Sequence, residues 1–279
     1  MVPSAPLNLD AIRSILATKA LGQSLYLHQE LPSTNQEALA MAQRGAPHGT
    51  VIITEGQSAG RGRHGRVWFS PSGTNLYCSV IVRGLGQKIP LAEWLSWLPL
   101  VSALTVAEAI FQALSVRLAL KWPNDLLLHE RKAGGILCES ALSPGTDPVV
   151  IIGIGLNVNV QLESFPHELQ SIAASLSEVV SGSIDRNRLI SRLLLELEDG
   201  LDELQHHGAT RLRHAYGERC VTLGRRVRAL SAQGQETIGT AEAIARDGAL
   251  QIRPLGSSLG TRVPSLIDIR AADIIHLRE

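Results

Sequence analysis

The sequence predicts an α+β domain of about 200 residues followed by a small β-barrel of about 60 residues. Two observations carry this prediction. Helical segments with an apolar stripe and short β-branched strands share the first part of the chain. After about Gly217, short apolar alternations recur between glycines, which is typical of a small barrel. We therefore place the two domains at residues 1–217 and 218–279.

The composition fits a folded, soluble protein. Hydrophobic residues make up 44% of the 279 residues, which is enough for a sizeable core and excludes general disorder. The 26 basic and 26 acidic residues cancel, so no overall field draws the chain to nucleic acid or to an anionic membrane. The three cysteines lack CxxC spacing, and the N-terminus lacks the pattern of a signal peptide. We expect a cytoplasmic protein without a disulfide framework.

The periodicity of apolar residues gives the elements in order. Helices are predicted at Leu9–Leu21, from Ser33 or Thr34 to Arg44, at Trp94–Val116 and at Arg188–His206. Strands are predicted at residues 51–54, 76–82, 117–121, 126–128, 135–139 and 149–160, and in the C-terminal part at 221–227, 238–244, 250–252 and 274–277. The longest apolar segment, 94–116, contains Pro99 and Glu108, and we expect it to be a buried helix and not a membrane span.

The segment Gly60–Arg66 is the most unusual part of the sequence. It reads GRGRHGR and places three arginines and three glycines in seven positions. Glycines allow backbone N–H groups to approach an anion closely, and arginine forks match phosphate or carboxylate. A solvated flexible loop or a fragment of an RGG-type nucleic-acid segment remains an alternative.

Two of the chain's lysines lie in adjacent motifs. Lys121 opens KWPND and Lys132 lies in RKAGG, where backbone can crowd a ligand. A lysine suits an oxygen whose charge changes during a reaction. Asn124 and Asp125 follow Pro123 and either form a plain turn or turn inward to bind backbone or a cation. Asp125 is the best candidate here for orienting magnesium or an incoming amine.

Two further segments present polar groups. Thr34 and Glu37 fit a capping box, whereas Ser33, Thr34 and Asn35 could instead offer donors to a polar ligand at a helix N-terminus. An apolar strand ends near Asn157, which lies either in a bulge and turn or in a pocket wall. The sequence contains no P-loop and no HExxH motif, so ATP, if used, is held by another device.

Taken in order, these segments resemble the biotin–protein ligases, enzymes that attach biotin to carboxylase carrier domains. The matching motifs are Ser33–Asn35, Glu55–Arg66 with Trp68, Lys121–Asp125, Arg131–Gly135 and Gly153–Asn157. Five ordered motifs make the resemblance specific. It implies a mixed, largely antiparallel sheet flanked by helices, as in class II synthetases, with a small C-terminal SH3-like β-barrel.

The resemblance also implies roles for individual residues. The biotin contacts it implies are Ser33, Thr34, Asn35, Gln57, Gly60, Arg61, Gly62, Arg63, Lys132 and Gly135. The ATP contacts it implies are Arg63, Arg66, Trp68, Lys121, Asn124, Asp125, Lys132 and Asn157. The catalytic residues would be Lys132, Arg63 and Asp125. No metal ligands are assigned.

The reaction implied by the resemblance has two steps. ATP and Mg²⁺ serve as co-substrate and ion, biotin is the substrate, and no cofactor is permanently bound. The intermediate is biotinyl-5′-AMP, and the acceptor is a lysine of a biotin carboxyl carrier protein. The alternative is a lipoate or octanoate ligase or transferase on the same fold, although those enzymes lack the GRGRxGR and KWPND pair.

The resemblance leaves the partners less defined. Some members carry an N-terminal winged-helix DNA-binding domain, but only about 30 residues precede Ser33, too few for such a domain. We therefore expect no DNA and no membrane partner, and a monomer or a homodimer.

Overall fold

A computed structural model of the protein describes residues 5–84, 90–141, 148–231, 234–255, 265–270 and 272–277. The helices are α1 (Leu9–Ile15), α2 (Thr34–Gln43), α3 (Leu91–Leu114), α4 (His167–Gln170), α5 (Arg186–His207) and α6 (Thr210–Arg219). The strands are β1 (Leu25–Leu31), β2 (Val51–Gln57), β3 (Leu76–Val82), β4 (Ala119–Lys121), β5 (Asp125–Leu128), β6 (Arg131–Ala141), β7 (Val149–Leu156), β8 (Arg226–Leu230), β9 (Glu236–Ile244), β10 (Leu250–Pro254), β11 (Ile267–Ile269) and β12 (Asp273–His276).

The larger sheet has seven strands in the order β1-β2-β3-β7-β6-β5-β4. The β1–β2 pair is parallel, and every other neighbouring pair is antiparallel. The smaller C-terminal sheet is antiparallel, with the order β11-β10-β9-β8-β12. The predicted fold class, α+β with a mixed, largely antiparallel sheet and a small C-terminal β-domain, is confirmed.

Helices cover both faces of the larger sheet. On one face, α3 and α5 pack together, and their buried side chains, such as Val101 and Leu197, join the main core. On the other face, α2 packs against Ile52, Ile81 and Ile151 in a smaller apolar cluster. Strand β7 is therefore buried on both faces, as its continuous apolar run predicts.

The prediction that the longest apolar segment is a buried helix is confirmed by α3. Its length and composition would suit a membrane span, yet 72% of its most apolar window is buried inside the protein. Trp97 is fully buried, and its indole N–H donates to the carbonyl of Arg246 at 2.8 Å. The apolar character of α3 is thus explained by its place in the core.

The first helix is shorter than predicted. It ends at Ile15, where the N–H of the extended residue Leu16 donates to the carbonyl of Arg13, and the segment that follows turns toward the carboxylate of Glu198 on α5. That carboxylate accepts hydrogen bonds from the N–H groups of Lys19, Ala20 and Leu21 at 2.6–2.8 Å. These N–H groups therefore do not continue the helical ladder. Burial raises the pKa of Glu198, but the three hydrogen bonds lower it, and the pKa lies below its usual value.

Several element predictions were incomplete. Strand β1 and helix α6 lay in segments with weak periodicity and were missed. The predicted strand at 221–227 starts only at Arg226, because residues 221–224 form turns after α6. Helix α6 spans the position proposed as the domain boundary, and the division at 217/218 stays a prediction.

Candidate active site

A cavity of about 450 Å³ lies between the larger sheet, the 60–68 loop and strand β12. This is the size of a small-molecule site. All the residues that the resemblance assigns to biotin or ATP line it, except Gly60, which is buried beside it. Apolar side chains complete the wall, among them Phe165, Leu169 and Ile274. The separate motifs of the sequence therefore converge on one cavity.

A chain of polar side chains connects α2 to strands β2 and β3. The Thr34 N–H donates to Oε1 of Gln57 at 2.9 Å, and Nε2 of Gln57 donates to the Ser70 hydroxyl at 3.0 Å. The Ser79 hydroxyl lies 2.8 Å from the Thr34 hydroxyl and 2.6 Å from Oδ1 of Asn35. This network fixes the orientation of each amide before any ligand binds.

The capping box predicted at the start of α2 is not formed. Ser33 is the N-cap and makes no side-chain capping bond, while Glu37 pairs with Arg44 at 3.1 Å. The N–H of Thr34 is instead taken by Gln57. Because long-range partners replace the local cap, the start of α2 belongs to the cavity and not only to the helix.

The GRGRHGR loop is anchored at both ends. A Cβ at Gly60 would lie 2.5 Å from the Ser70 hydroxyl and 2.6 Å from the Trp68 carbonyl, so only glycine fits there. Arg63 donates to Oδ1 of Asn124 at 3.2 Å and to the carbonyl of Ala272 at 3.4 Å. Burial lowers the pKa of Arg63, although the guanidinium remains charged.

The C-terminal sheet contributes to the same loop. Asp273 at the start of β12 forms ion pairs with Arg66 and, at 3.6 Å, with His64. His64 has φ of +55°, and this places its ring beside β12. Sequence reasoning missed Asp273, because it lies more than 200 positions from the loop and in no recognisable motif.

Lys132 is held between a carboxylate and an aromatic ring. Its Nζ lies 2.6 Å from Oδ1 of Asp125 and 5.3 Å from the centre of a Trp68 ring. Gly135 leaves room for this arrangement, because a Cβ there would lie 3.2 Å from Cε of Lys132. The Trp68 indole nitrogen is buried over Gly155 and meets no acceptor within the described residues, so this donor is unsatisfied.

Backbone hydrogen bonds to residues 172–174 hold Lys132 in place. Its N–H donates to the carbonyl of Ile172 at 2.7 Å, and its carbonyl accepts from Ala174 at 2.9 Å. Nδ2 of Asn157 donates to the carbonyls of Ala174 at 3.0 Å and Lys132 at 3.3 Å. Both amide hydrogens of Asn157 are therefore committed to positioning Lys132, which leaves only its carbonyl oxygen for a ligand.

The KWPND segment lies between the two sheets. Nδ2 of Asn124 donates to the carbonyl of Ile136 at 2.8 Å, so its Oδ1 faces Arg63. The N–H of Trp122 donates to the Thr222 hydroxyl at 3.1 Å, and its indole N–H donates to the Gly248 carbonyl at 3.0 Å. The C-terminal part thus fixes this turn. Burial lowers the pKa of Lys121, the first residue of the segment.

The electrostatic character of the cavity is cationic with two counter-charges. Lys121, Lys132 and Arg63 line it beside Asp125 and Asp273. Such an arrangement suits a substrate that carries phosphate or carboxylate groups. Within the described residues, no group of three or more His, Cys, Asp or Glu side chains could hold a metal ion.

Comparison with known proteins identifies the family. Over 278 residues the chain is 36% identical to the biotin–[acetyl-CoA-carboxylase] ligase of Mycobacterium tuberculosis (strain ATCC 25618 / H37Rv), covering 98% of this chain and 97% of that protein. The chain belongs to the biotin/lipoate A/B protein ligase family. The sequence model of that family matches residues 27–159, and the biotin protein ligase C-terminal domain matches residues 222–277.

Two further relatives of this ligase family agree. The bifunctional ligase/repressor BirA of Bacillus subtilis (strain 168) is 37% identical over 228 residues, which are 82% of this chain and 69% of that protein. The solved biotin protein ligase of Aquifex aeolicus in complex with biotin and ATP is 26% identical. It superposes with a TM-score of 0.75 over 92% of this chain and 100% of that chain. The resemblance drawn from the sequence motifs is confirmed.

Proposed function

We propose that this chain is an ATP-dependent biotin–protein ligase. The observation that carries the proposal is the placement of Lys132 at 2.6 Å from Asp125 and over Trp68, in a cavity that combines polar and cationic groups. The Aquifex aeolicus structure of the same fold was solved with biotin and ATP. The cavity of this chain has the size and charge for a carboxylate substrate beside a nucleotide.

In the first step, an oxygen of the biotin carboxylate attacks the α-phosphorus of ATP. The bond from that phosphorus to the bridging oxygen breaks, and pyrophosphate leaves with its electrons. The barrier is mainly electrostatic, because two anions approach each other. We assign Lys132 and Arg63 to stabilise the negative oxygens, and Trp68 to place the nucleotide with its indole ring.

In the second step, the amine of a carrier lysine attacks the carbonyl carbon of biotinyl-5′-AMP. The bond between that carbonyl and the phosphate oxygen breaks, AMP leaves with the bonding electrons, the nitrogen gives a proton to the departing phosphate, and an amide forms. We assign Asp125 to orient the incoming amine, since its carboxylate lies within the cavity. Residues 60–66 exclude water from the mixed anhydride, which would otherwise hydrolyse.

Magnesium would enter with the nucleotide. Mg²⁺ is usually held by substrate phosphates, waters and one or two carboxylates. Asp125 is the carboxylate nearest to Lys132, and it could contribute to such a set. Because Asp125 also pairs with Lys132, its carboxylate would be shared between Mg²⁺ and the Lys132 ammonium.

The acceptor and the compartment follow from the same proposal. The Mycobacterium tuberculosis relative is named for acetyl-CoA carboxylase, and we propose a biotin carboxyl carrier domain as the acceptor here. All three cysteines are free, and burial raises the pKa of Cys138 to about 12, so its thiol is unreactive. Free cysteines agree with activity in the reducing cytoplasm.

One incubation separates this proposal from the lipoate alternative. Purified protein, ATP and Mg²⁺ are mixed with a carrier domain and with biotin, lipoate or octanoate in parallel, and the carrier is weighed by mass spectrometry. We expect biotin to be added far faster than either of the other acids. A carrier modified only by lipoate or octanoate would contradict the proposed substrate.

Variants of two lysines test the assignment of the site. Lys132→Ala should slow pyrophosphate release about 10²- to 10³-fold, because a charge contact of the transition state is lost. Lys19→Ala removes an exposed lysine outside the cavity and serves as the matched control. If Lys132→Ala releases pyrophosphate at the rate of the control, the assigned role of Lys132 is wrong.

A further inference from the structure

Glu139 on β6 lies at one end of the polar network, outside every motif recognised in the sequence. Its Oε2 accepts a hydrogen bond from Nδ2 of Asn35 at 2.8 Å, and its Oε1 lies 3.8 Å from a guanidinium nitrogen of Arg61. The Glu139 side chain is 31% exposed, whereas Asn35 is only 4% exposed. One carboxylate thus contacts both the start of α2 and the GRGRHGR loop.

The Asn35 amide has one defined orientation. Its Nδ2 faces two groups that can only accept, the Glu139 carboxylate and the Leu137 carbonyl at 3.2 Å. Its Oδ1 therefore points the other way, toward the Ser79 hydroxyl at 2.6 Å and over Gly153. A Cβ at Gly153 would lie 2.0 Å from this oxygen, so the glycine makes the placement possible.

Without Glu139, the opposite orientation becomes accessible. The Ser79 hydroxyl can both donate and accept, so it would tolerate either end of the amide. The Leu137 carbonyl would be the one remaining obligatory acceptor on the far side, and its contact is the longer of the two. The charged carboxylate therefore decides which end of Asn35 lies over Gly153 in the cavity wall.

We propose that Glu139 is a positioning residue that sets the substrate specificity of the cavity through Asn35. By holding Nδ2, it presents Oδ1 as an acceptor, which suits a substrate with N–H donors such as the cyclic urea of biotin. A fatty acid or lipoate offers no such donor. This inference rests on the proposed function, and it adds a residue that makes the cavity favour biotin over a fatty acid or lipoate.

The contact with Arg61 has a smaller role. Its guanidinium is 52% exposed and the ion pair is 3.8 Å long, so solvent screens most of the attraction. Glu139→Gln separates the effects of the two contacts, because a glutamine oxygen can still accept a hydrogen bond from Asn35 but carries no charge that would attract Arg61. Glu139→Ala removes both contacts.

The first experiment measures adenylation of biotin and of octanoate by pyrophosphate release. Glu139→Ala should raise KM for biotin about 10- to 100-fold, because a flipped Asn35 amide would oppose its own N–H to the N–H of the urea and leave both donors unpaired. KM for ATP should stay within about threefold of wild type. The weak rate with octanoate should not fall. Glu139→Gln should recover most of the biotin affinity, and Glu236→Gln, an exposed glutamate on β9, is the matched control.

A double mutant tests whether Glu139 acts through Asn35. In an Asn35→Ala background, Glu139→Ala should cost less than about threefold in biotin KM, because the amide it orients is gone. Thermal unfolding confirms that each variant is folded, and Glu139→Asp, whose carboxylate is one methylene too short to reach Asn35, replaces the alanine variant if that one is unfolded.

The outcomes separate this inference from the proposed function. If wild-type protein does not adenylate biotin, the proposed function fails and the inference fails with it. If wild-type protein is active and Glu139→Ala keeps the wild-type KM for biotin, the inference alone is overturned. The same holds if the variant loses biotin and octanoate activity equally, or loses as much in the Asn35→Ala background.

Discussion

Gly155 on β7 provides a quantitative test of the site, because its missing side chain leaves room for Trp68. A Cβ at Gly155 would lie 2.8 Å from both Cε2 and Nε1 of the indole, and real Cβ contacts are rarely below 3.4 Å. In Gly155→Ala the ring must therefore retreat by roughly half an ångström or more toward the cavity. The same indole lies 5.3 Å from the ammonium of Lys132.

The expected effect is on chemistry more than on stability. A misplacement of about 1 Å in a positioned group costs about 10²-fold in rate, so we expect pyrophosphate release to slow about 10- to 100-fold. Trp68 is only half-buried and can move into the cavity, so the melting temperature should change by less than about 3 °C. The loss should appear in KM for ATP and in kcat.

Two other glycines are matched controls for this substitution. Gly217 lies in α6 with its nearest neighbour at 3.9 Å, so Gly217→Ala should leave the rate unchanged and raise stability by about 0.5–1 kcal/mol, because alanine favours the helix. Gly200 on α5 faces Thr105 on α3, where a Cβ would lie 2.3 Å from Cγ2, so Gly200→Ala should lower stability without changing KM for ATP. If Gly155→Ala adenylates biotin at the wild-type rate, the placement of Trp68 against Gly155 is not needed for the reaction and our reasoning is refuted.

Three further predictions concern a buried ion pair, an ion pair of the GRGRHGR loop and a half-buried histidine. Arg186 is fully buried and pairs with the buried carboxylate of Glu55 at 2.6 Å, so Arg186→Met should lower the melting temperature by about 10 °C. The control substitution Arg188→Met, at an exposed position, should not lower it, and equal melting temperatures of the two variants would contradict a structural role of the pair. Asp273→Asn should raise KM for ATP about two- to fivefold, because Arg66 loses an exposed ion pair. Since salt screens exposed charges, the difference should vanish in 1 M salt, and a persisting difference excludes an electrostatic cause. Burial, with nearby cations, lowers the pKa of His276 to about 4, so its neutral ring stabilises the fold above its unfolded pKa of about 6.5, and this stability is lost as the pH falls toward 4. The melting temperature of His276→Gln should therefore depend less on pH between 6.5 and 4, and an identical pH profile would show that His276 does not contribute.

The sequence by itself determined the helices and strands with strong periodicity. The apolar run of α3 and the leucine stripe of α5 predict their own positions to within a few residues, because burial of one face stabilises each helix. The ordered motifs were equally informative: glycines at 60 and 135 mark places where backbone, lysine and indole groups crowd together. Features of this kind depend on residues close together in the chain, so the sequence alone predicts them.

Other features depended on contacts between residues far apart in the chain. Glu198 accepts three backbone hydrogen bonds from Lys19, Ala20 and Leu21, about 180 positions away, where the sequence predicted that the first helix continued. The capping box at Thr34 was a reasonable local prediction, but Gln57 takes the same donor. In both places a charged or amide acceptor from another element competes with the local bond.

The tertiary structure alone decided which groups of the candidate site are free to meet a ligand. Asn157 and Asn35 are both amides with several possible partners, and the sequence cannot show that their N–H groups are already donated to the protein. Asp273 and Glu139 carry no motif, yet each contacts the arginine-rich loop once the sheets are assembled. Sequence specifies which chemical groups are present, whereas the direction of each hydrogen bond depends on the acceptors and donors that folding brings within about 3 Å.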